Sequence, residues 1–473
     1  MKTRKWYYLL PLIGTVFGLW YVKEAFVDVV YSDYMRLVNS YLPDIWNPDK
    51  FFVGDILTRI PLNYLARIIN VMLFDYRIRF DQVLGILSLG ASAVFIASYC
   101  IKKDISSLWF CCLMAIIFSL NKWEMMINGS GWIHFLAFVG FYYHYLVLEE
   151  VWSEKESSSK GQKNHICLLV LPWILTLAVA GPYCASYTAV LLLAYALCAV
   201  LKKVQKGIWD KNYMFYGISA FIPLLLYMWS SSLAEPEKLG IAEVPLTAQL
   251  LDTPGFFVRF LIKSFSSMVV GVESAQAMFS SNLPYFILGL LVIGAYLLAL
   301  WMQWHYKIYE ETIFPLILIW AGGINHLLVM LSRWVFLRED YGMSSRYALQ
   351  FQTGIIGIVL TFALVWKRIA QNVNRNRNRQ QKLKTVWCCS FMTAMLMILL
   401  VGNIYTTRDE WKKAPARKEA CANRAALALD FENRTDEELR AGFEYHMSRP
   451  EGGQEVRNAL EILKEHQLNI FRE

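Results

Sequence analysis

Charge is scarce in this sequence. Asp, Glu, Lys and Arg make up 18% of its 473 residues, while 56% are hydrophobic and 15% aromatic, a balance that excludes a disordered chain and an ordinary soluble domain. Signature motifs are missing as well. There is no CxxC pair and no HExxH, so no spaced metal site is signalled. The lack of a Walker loop, a GxGxxG turn and a GxSxG elbow disfavours nucleotide-driven transport and serine hydrolysis, and no lipidation signal is present. Nine cysteines resemble a disulfide framework until they are placed. Cys100, Cys111, Cys112, Cys167, Cys198, Cys388 and Cys389 fall within or at the ends of apolar runs, where a thiol packs as a small hydrophobe. Nothing in the spacing of Cys184 and Cys421 makes them a pair.

Long hydrophobic runs are what the chain does have. A hydrocarbon slab about 30 Å thick takes roughly 20 helical residues per crossing, because no backbone group can go unpaired in lipid. About eleven runs qualify: roughly 6–22, 82–101, 105–120, 132–148, 166–181, 187–201, 213–232, 283–304, 312–331, 347–366 and 385–404. The expected fold class is therefore all-α, a polytopic transmembrane helical bundle. None of the runs contains Asp, Glu, Lys or Arg, each of which costs about 2.5–3.5 kcal/mol at mid-bilayer on insertion scales. A proton-relay pump or a voltage sensor is disfavoured, and the ionisable chemistry belongs at the interfaces. His134, His144 and His326 do fall inside runs, where a neutral packing role is the plainer reading.

The net charge of +8 resolves by side. Met1 to Lys5 precede an apolar run that lacks a small-residue cleavage site around Trp20, Tyr21, Lys23 and Glu24, which reads as a retained signal anchor. With the N-terminus inside, cytoplasmic segments hold about 20 basic residues in roughly 62 positions, against about 14 in roughly 143 outer-loop positions. Lys2, Arg4, Lys102, Lys103, Lys202, Lys203 and a run from Lys367 through Arg375 and Arg377 to Lys384 carry this excess. The expected topology is N-in/C-out in a plasma membrane. A surplus held inside does not make a nucleic-acid surface, so no nucleic-acid partner is expected.

The first outer loop, about 23–81, is far longer than a bundle needs for a turn. Tyr34, Leu37, Val38, Tyr41 and Leu42 recur at the spacing of an amphipathic helix beginning at Ser32 or Asp33 and ended by Pro43. Arg59-Ile60-Pro61 opens a second helix with Leu65, Ile68, Ile69 and Met72 on one face and Pro61 in the first turn. Both are expected to lie at the membrane surface.

That arrangement, with Val27-Asp28-Val29-Val30-Tyr31-Ser32-Asp33-Tyr34 directly after the first span, resembles the GT-C superfamily of polytopic membrane glycosyltransferases. Trp123-Glu124 through Gly131-Trp132 and Ser344-Ser345-Arg346-Tyr347 are similar to features of uncharacterised bacterial members. The resemblance implies a transmembrane domain over 1–404, a polyprenyl-phosphate sugar donor, a glycan or lipid acceptor on the outer face, and a catalytic acid at Asp33, with Asp28 about one turn earlier. Asp33 is followed by Tyr34 rather than a second acid, which leaves the cofactor open: a divalent cation fits such chemistry although no metal motif is present.

Sugar transfer from a phosphate-linked donor needs a base for the acceptor hydroxyl and cations for the departing phosphate. Asp33 suits the base, and suits equally an N-cap of the helix it opens. Arg59, Arg67, Arg333, Arg338 and Arg346 are the candidate cations for the phosphate, since a planar guanidinium donates paired hydrogen bonds; snorkelling toward headgroups is the competing role. Glu124, Asn128, His134, Asn325 and His326 are candidate sugar or acceptor ligands near the outer face. Pro254 to Phe265 reads as an interfacial helix, a plain seal or a border for an isoprenoid chain. After about 405 the composition turns charged and nearly neutral in sum. Val456, Leu460, Leu463 and Leu468 make an apolar stripe beyond a break at Arg449-Pro450, so 405–473 is expected to form a small helical cap. A transporter or flippase of a lipid-linked saccharide, or a noncatalytic assembly subunit, would use the same features without making a bond.

Overall fold

The computed structural model describes residues 5–52, 59–153, 159–232, 241–373, 379–445 and 451–472. Lys2, Arg4, Arg375, Arg377 and the Arg449-Pro450 break lie outside them. The chain is 85% helix, with no strand among the described residues. In order the helices are α1 Leu9–Ala25, α2 Asp33–Tyr41, α3 Pro61–Phe74, α4 Ile78–Lys102, α5 Ser107–Ile117, α6 Trp123–Ile127, α7 Trp132–Ser153, α8 Ser159–Ile174, α9 Cys184–Lys206 and α10 Lys211–Ser232. There follow α11 Leu246–Asp252, α12 Pro254–Ser266, α13 Val272–Met278, α14 Leu283–His305, α15 Ile308–Glu311, α16 Phe314–Arg333, α17 Ala348–Val373, α18 Arg379–Leu429, α19 Asp436–Phe443 and α20 Gly452–Glu465.

Among the described residues ten helices are long and apolar enough to cross a membrane, the signature of a multi-pass membrane protein. They coincide with ten of the eleven apolar runs. The first run forms α1, which is apolar but only 17 residues long. Helix α17 is the axis of the bundle, packed on α5, α14, α16 and α18, and its most apolar stretch is wholly buried. Helix α10, on the periphery, turns Met214, Phe215, Ile218, Phe221 and Leu225 outward, as α1 does Leu12, Ile13 and Val16. Apolar faces of that size are stable against lipid and not against water.

The apolar runs stop short of ionisable groups that the helices themselves carry inward. Asp81 on α4 is fully buried and paired with Arg67 of α3. At the other end, buried Glu149 of α7 pairs with Lys103 at 2.6 Å and accepts the N–H groups of Ile313 and Phe314 at 2.8 and 3.2 Å, satisfying donors that the start of α16 leaves open. Asp81 and Lys102 are separated on α4 by about 31 Å at the helical rise, close to the thickness of a hydrocarbon slab. The two buried pairs thus bracket the apolar length, and they name the ends: an Asp81 end and a Lys103 end.

Helices α2 and α3 begin at Asp33 and Pro61, where periodicity and proline put them. Tyr34 donates to Asp81, and the Arg67 guanidinium carbon sits 5.7 Å from the ring centres of both Tyr34 and Tyr76. The change of composition near 405 is no break in structure. Helix α18 has 51 residues, about 76 Å of helix, and runs unbroken through 404 and 405 into the charged tail. Val456, Leu460 and Leu463 of α20 are buried as it packs on α19 and α2.

Replacing Arg67 by Leu would leave the Asp81 carboxylate buried without its cation, at a cost of about 3–5 kcal/mol. The double variant Arg67→Leu, Asp81→Leu is expected to recover most of it. Thermal unfolding of the detergent-purified protein checks this, and a single variant as stable as the parent would contradict it.

Candidate functional site

Three segments meet at the Asp81 end. The first is the turn after α1. Ser32 has φ 52° and ψ −132°, a strained backbone for a residue with a side chain, and α2 starts at the next position. The N-cap position of that helix is Ser32, whose side chain makes no cap hydrogen bond, and Asp33 is the first helical residue rather than the cap. Successive helical residues point about 100° apart, so with Tyr34 fixed on Asp81, Asp33 faces another way, and its Oδ2 lies 3.8 Å from Arg346 Nη1.

The second segment is the turn between α5 and α7. Lys122 is fully buried and donates to the carbonyls of Ile117 and Ser119 at 2.8 and 2.9 Å, closing the end of α5. That fixes the next residues, Trp123 and Glu124. The third is the turn into α17, where Ser344 accepts from the Arg346 backbone. Arg346 Nε donates to Glu124 Oε1 at 2.6 Å and Ser345 Oγ to Glu124 Oε2 at 3.0 Å. Both Glu124 oxygens are thereby occupied, while Asp33 is held only by a longer ion pair and stays open to a further partner. The side chains of Asp33, Glu124 and Arg346 keep 30%, 24% and 40% of their exposure, which leaves the cluster reachable from outside.

Around it stand groups that sequence reading did not single out. Burial first, and the nearby Glu124 carboxylate, push the Tyr31 phenol above its usual value, so it remains a donor at neutral pH. Arg424 lies 5.4 Å from the Tyr31 ring centre and Arg417 3.5 Å from that of Trp123, and Arg417 also donates to Tyr21 at 2.8 Å. Both arginines belong to α18, so the charged tail forms one wall. The signal available for them was only that α18's helical period continues past the apolar run.

Of the remaining sequence candidates, Arg333 lies 5.9 Å from the ring centre of Tyr347, the residue after Arg346, and no carboxylate pairs with it among the described residues. Arg338 is spent on Asp340 at 2.9 Å, and Arg59 rests over Phe51. Asp28 accepts the Ile78 N–H at 2.8 Å, satisfying a donor at the start of α4, and lies beside Asn469. Asn128 caps its own turn through Ser130. His326 is buried between the rings of Phe265 and Phe351, at 3.8 and 3.7 Å, with Ser264 on Nδ1. Asn325 bonds back to Ala321, and His134 meets the Tyr183 ring edge-on. No group of three or more His, Cys, Asp and Glu residues suited to a metal ion occurs among the described residues.

Glu273 of α13 completes the acidic side. Burial above all, with the Glu410 and Glu124 charges, raises its carboxyl above the ordinary 4.5. A carboxyl raised on folding binds more protons in the native state, so stability falls as pH climbs from about 4.5 through the raised value. Glu273→Gln is expected to show a melting temperature that gains on the parent across that window and stays higher at pH 7; a difference independent of pH would remove the assignment.

No family model, no curated protein and no solved structure matches the chain.

Proposed function

We propose that the protein is a GT-C-like membrane glycosyltransferase, which transfers a sugar from a polyprenyl-phosphate donor to a cell-envelope glycan or lipid acceptor at the outer face. In this reading the Asp81 end faces outward, the Lys103 end faces the cytoplasm with the basic excess, α2 and α3 lie along the membrane surface, and the tail is outside. The observation that carries it is the meeting of Asp33, Glu124 and Arg346, from positions far apart in the chain, in one partly exposed cluster.

The roles follow from what each group has free. Asp33 takes the proton of the acceptor hydroxyl. The acceptor oxygen then bonds to the anomeric carbon as its bond to the donor phosphate oxygen breaks, and the leaving polyprenyl phosphate carries the negative charge. Arg333, which no carboxylate pairs with among the described residues, and Arg346 meet that charge with planar donors. Glu124 orients Arg346 and offers an acceptor to sugar hydroxyls when the substrate displaces that pairing.

Loss of a general base lowers turnover by about 10²–10⁴-fold. Reconstituted Asp33→Asn should therefore lose transfer of labelled sugar from polyprenyl-phosphate donor by that order, while Arg333→Gln should raise the donor KM more than it lowers kcat. Full activity in Asp33→Asn would sink the assigned base. Movement of a lipid-linked saccharide across the vesicle without a new glycosidic bond would select the flippase reading instead.

A further inference from the structure

A concave site lies at the same end, beside the turn that presents Arg346. It is a cavity of about 280 Å³ between the end of α13, the start of α14 and the turn before α17. Its apolar part is a corner made by Phe279 and Tyr285, whose rings meet at 86° with centres 5.9 Å apart. The polar part is mixed. Gln276 and Asn282 each offer both donors and an acceptor, Asp340 accepts, and Lys263 donates. The Lys263 side chain is only 7% exposed, anchored on Glu339 at 3.0 Å. Asp340 is partly buried, which acts against its charge, yet the Arg338 hydrogen bond holds it below the usual carboxylate value, so it is an ionised acceptor at neutral pH.

This chemistry narrows the ligand. A lipid chain would set the amides of Gln276 and Asn282 against hydrocarbon with nothing to bond. An anion would have to compete with Glu339 for Lys263 and Arg259 and with Asp340 for Arg338, since each of these cations is already in an ion pair. A metal ion lacks the required cluster among the described residues. A sugar ring fits the set: its C–H face packs on an aromatic ring, and its hydroxyls, each donor and acceptor, take up amides, a carboxylate and an ammonium in turn. The volume lies just under the ~300–1,000 Å³ typical of sites for drug-sized ligands, enough for about one or two pyranose rings.

We propose that this cavity is a carbohydrate-binding pocket for an uncharged sugar unit. The turn that lines one side of it leads on to Arg346. Met343 lines the pocket, and Gly342 lets that turn lie against α12, since a Cβ there would come within 2.5 Å of the Phe260 ring; Ser345 and Arg346 follow directly. The ligand class stands on the lining alone, whereas the pocket's role as the seat of the acceptor glycan rests on the transferase reading above.

Saturation-transfer NMR on the detergent-purified full chain tests it, with free glucose, galactose, N-acetylglucosamine and maltose as probes. Saturable transfer to the ring protons of at least one probe is expected, weakened about tenfold or more in Tyr285→Ala and in the exposed-site variant Gln276→Ala, the latter with an unchanged gel-filtration profile. No saturable transfer from any probe, equal affinity in Gln276→Ala, or displacement of the sugar by inorganic phosphate at matched concentration would overturn the assignment. Binding that persists in a protein found to have no transferase activity would uphold the pocket and reject only its role as acceptor seat. Absent binding in an active transferase would reject the pocket and leave the transferase reading standing.

Discussion

An arginine buried at the edge of an apolar bundle must find a carboxylate, and the Arg67–Asp81 pair, with Tyr34 on the second carboxylate oxygen, is the interaction on which the Asp81 end depends. It ties α3 and α2 to the first turn of α4, so the long first loop is fastened to the bundle at a defined register. The pair is also tightly enclosed. A Cβ on Gly129 would stand 2.6 Å from the Tyr34 hydroxyl oxygen and 3.0 Å from Asp81 Cβ, so the turn that follows Glu124 can close on the pair only with glycine there. Asp33 and Glu124 therefore owe their mutual placement to the same buried charges, although neither touches them.

The tail supplies the second fastening. Asn469, near the chain's end, accepts the Val30 N–H at 3.2 Å, donates to the Tyr76 carbonyl at 3.0 Å, and gives its own N–H to Asp75 at 2.7 Å. Those partners flank α2 and α3, and α20 covers α2 itself. Along α18, Thr407 accepts from Leu120 and Thr406 from Gly271 at 3.1 and 3.0 Å, binding the turn below Glu124 and the approach to Glu273 to one rigid rod. A segment that composition sets apart is mechanically part of the same assembly, because a helix that leaves lipid keeps its own backbone hydrogen bonds and needs no break at the interface.

Much of the fold was legible because lipid imposes a simple rule: helices of membrane length with no interior charge. Ten of eleven apolar runs became such helices, and the amphipathic period with Pro61 located α2 and α3. The edges of the runs were less legible. Asp81 and Glu149 sat just beyond runs trimmed to exclude charge, and only the fold reveals that both are buried and paired. The site divided in the same way. Asp33, Glu124 and Arg346 each carried a local signal, but the distances among them are tertiary facts. His326 and Asn325 carried a signal of the same strength, and their side chains are taken up by packing inside the bundle. A lone polar residue in an apolar run does not disclose which way its helix face turns.

The state of Arg346 bears on how such a cluster would work. Bound to Glu124 at 2.6 Å and near Asp33 at 3.8 Å, it is shared between two carboxylates, and the three groups together carry one net negative charge. In the transferase reading an incoming phosphate would be drawn first by a cation that no carboxylate pairs with among the described residues, and Arg333 beside Tyr347 is such a cation. Once a phosphate stands between the two arginines, its charge competes with both carboxylates for Arg346. Glu124 keeps the Ser345 hydroxyl, but Asp33, held by the longer contact, would give up its counter-ion first. In the transferase reading, donor binding would itself free the proposed base, which the turn at Ser32 leaves 3.8 Å from the arginine.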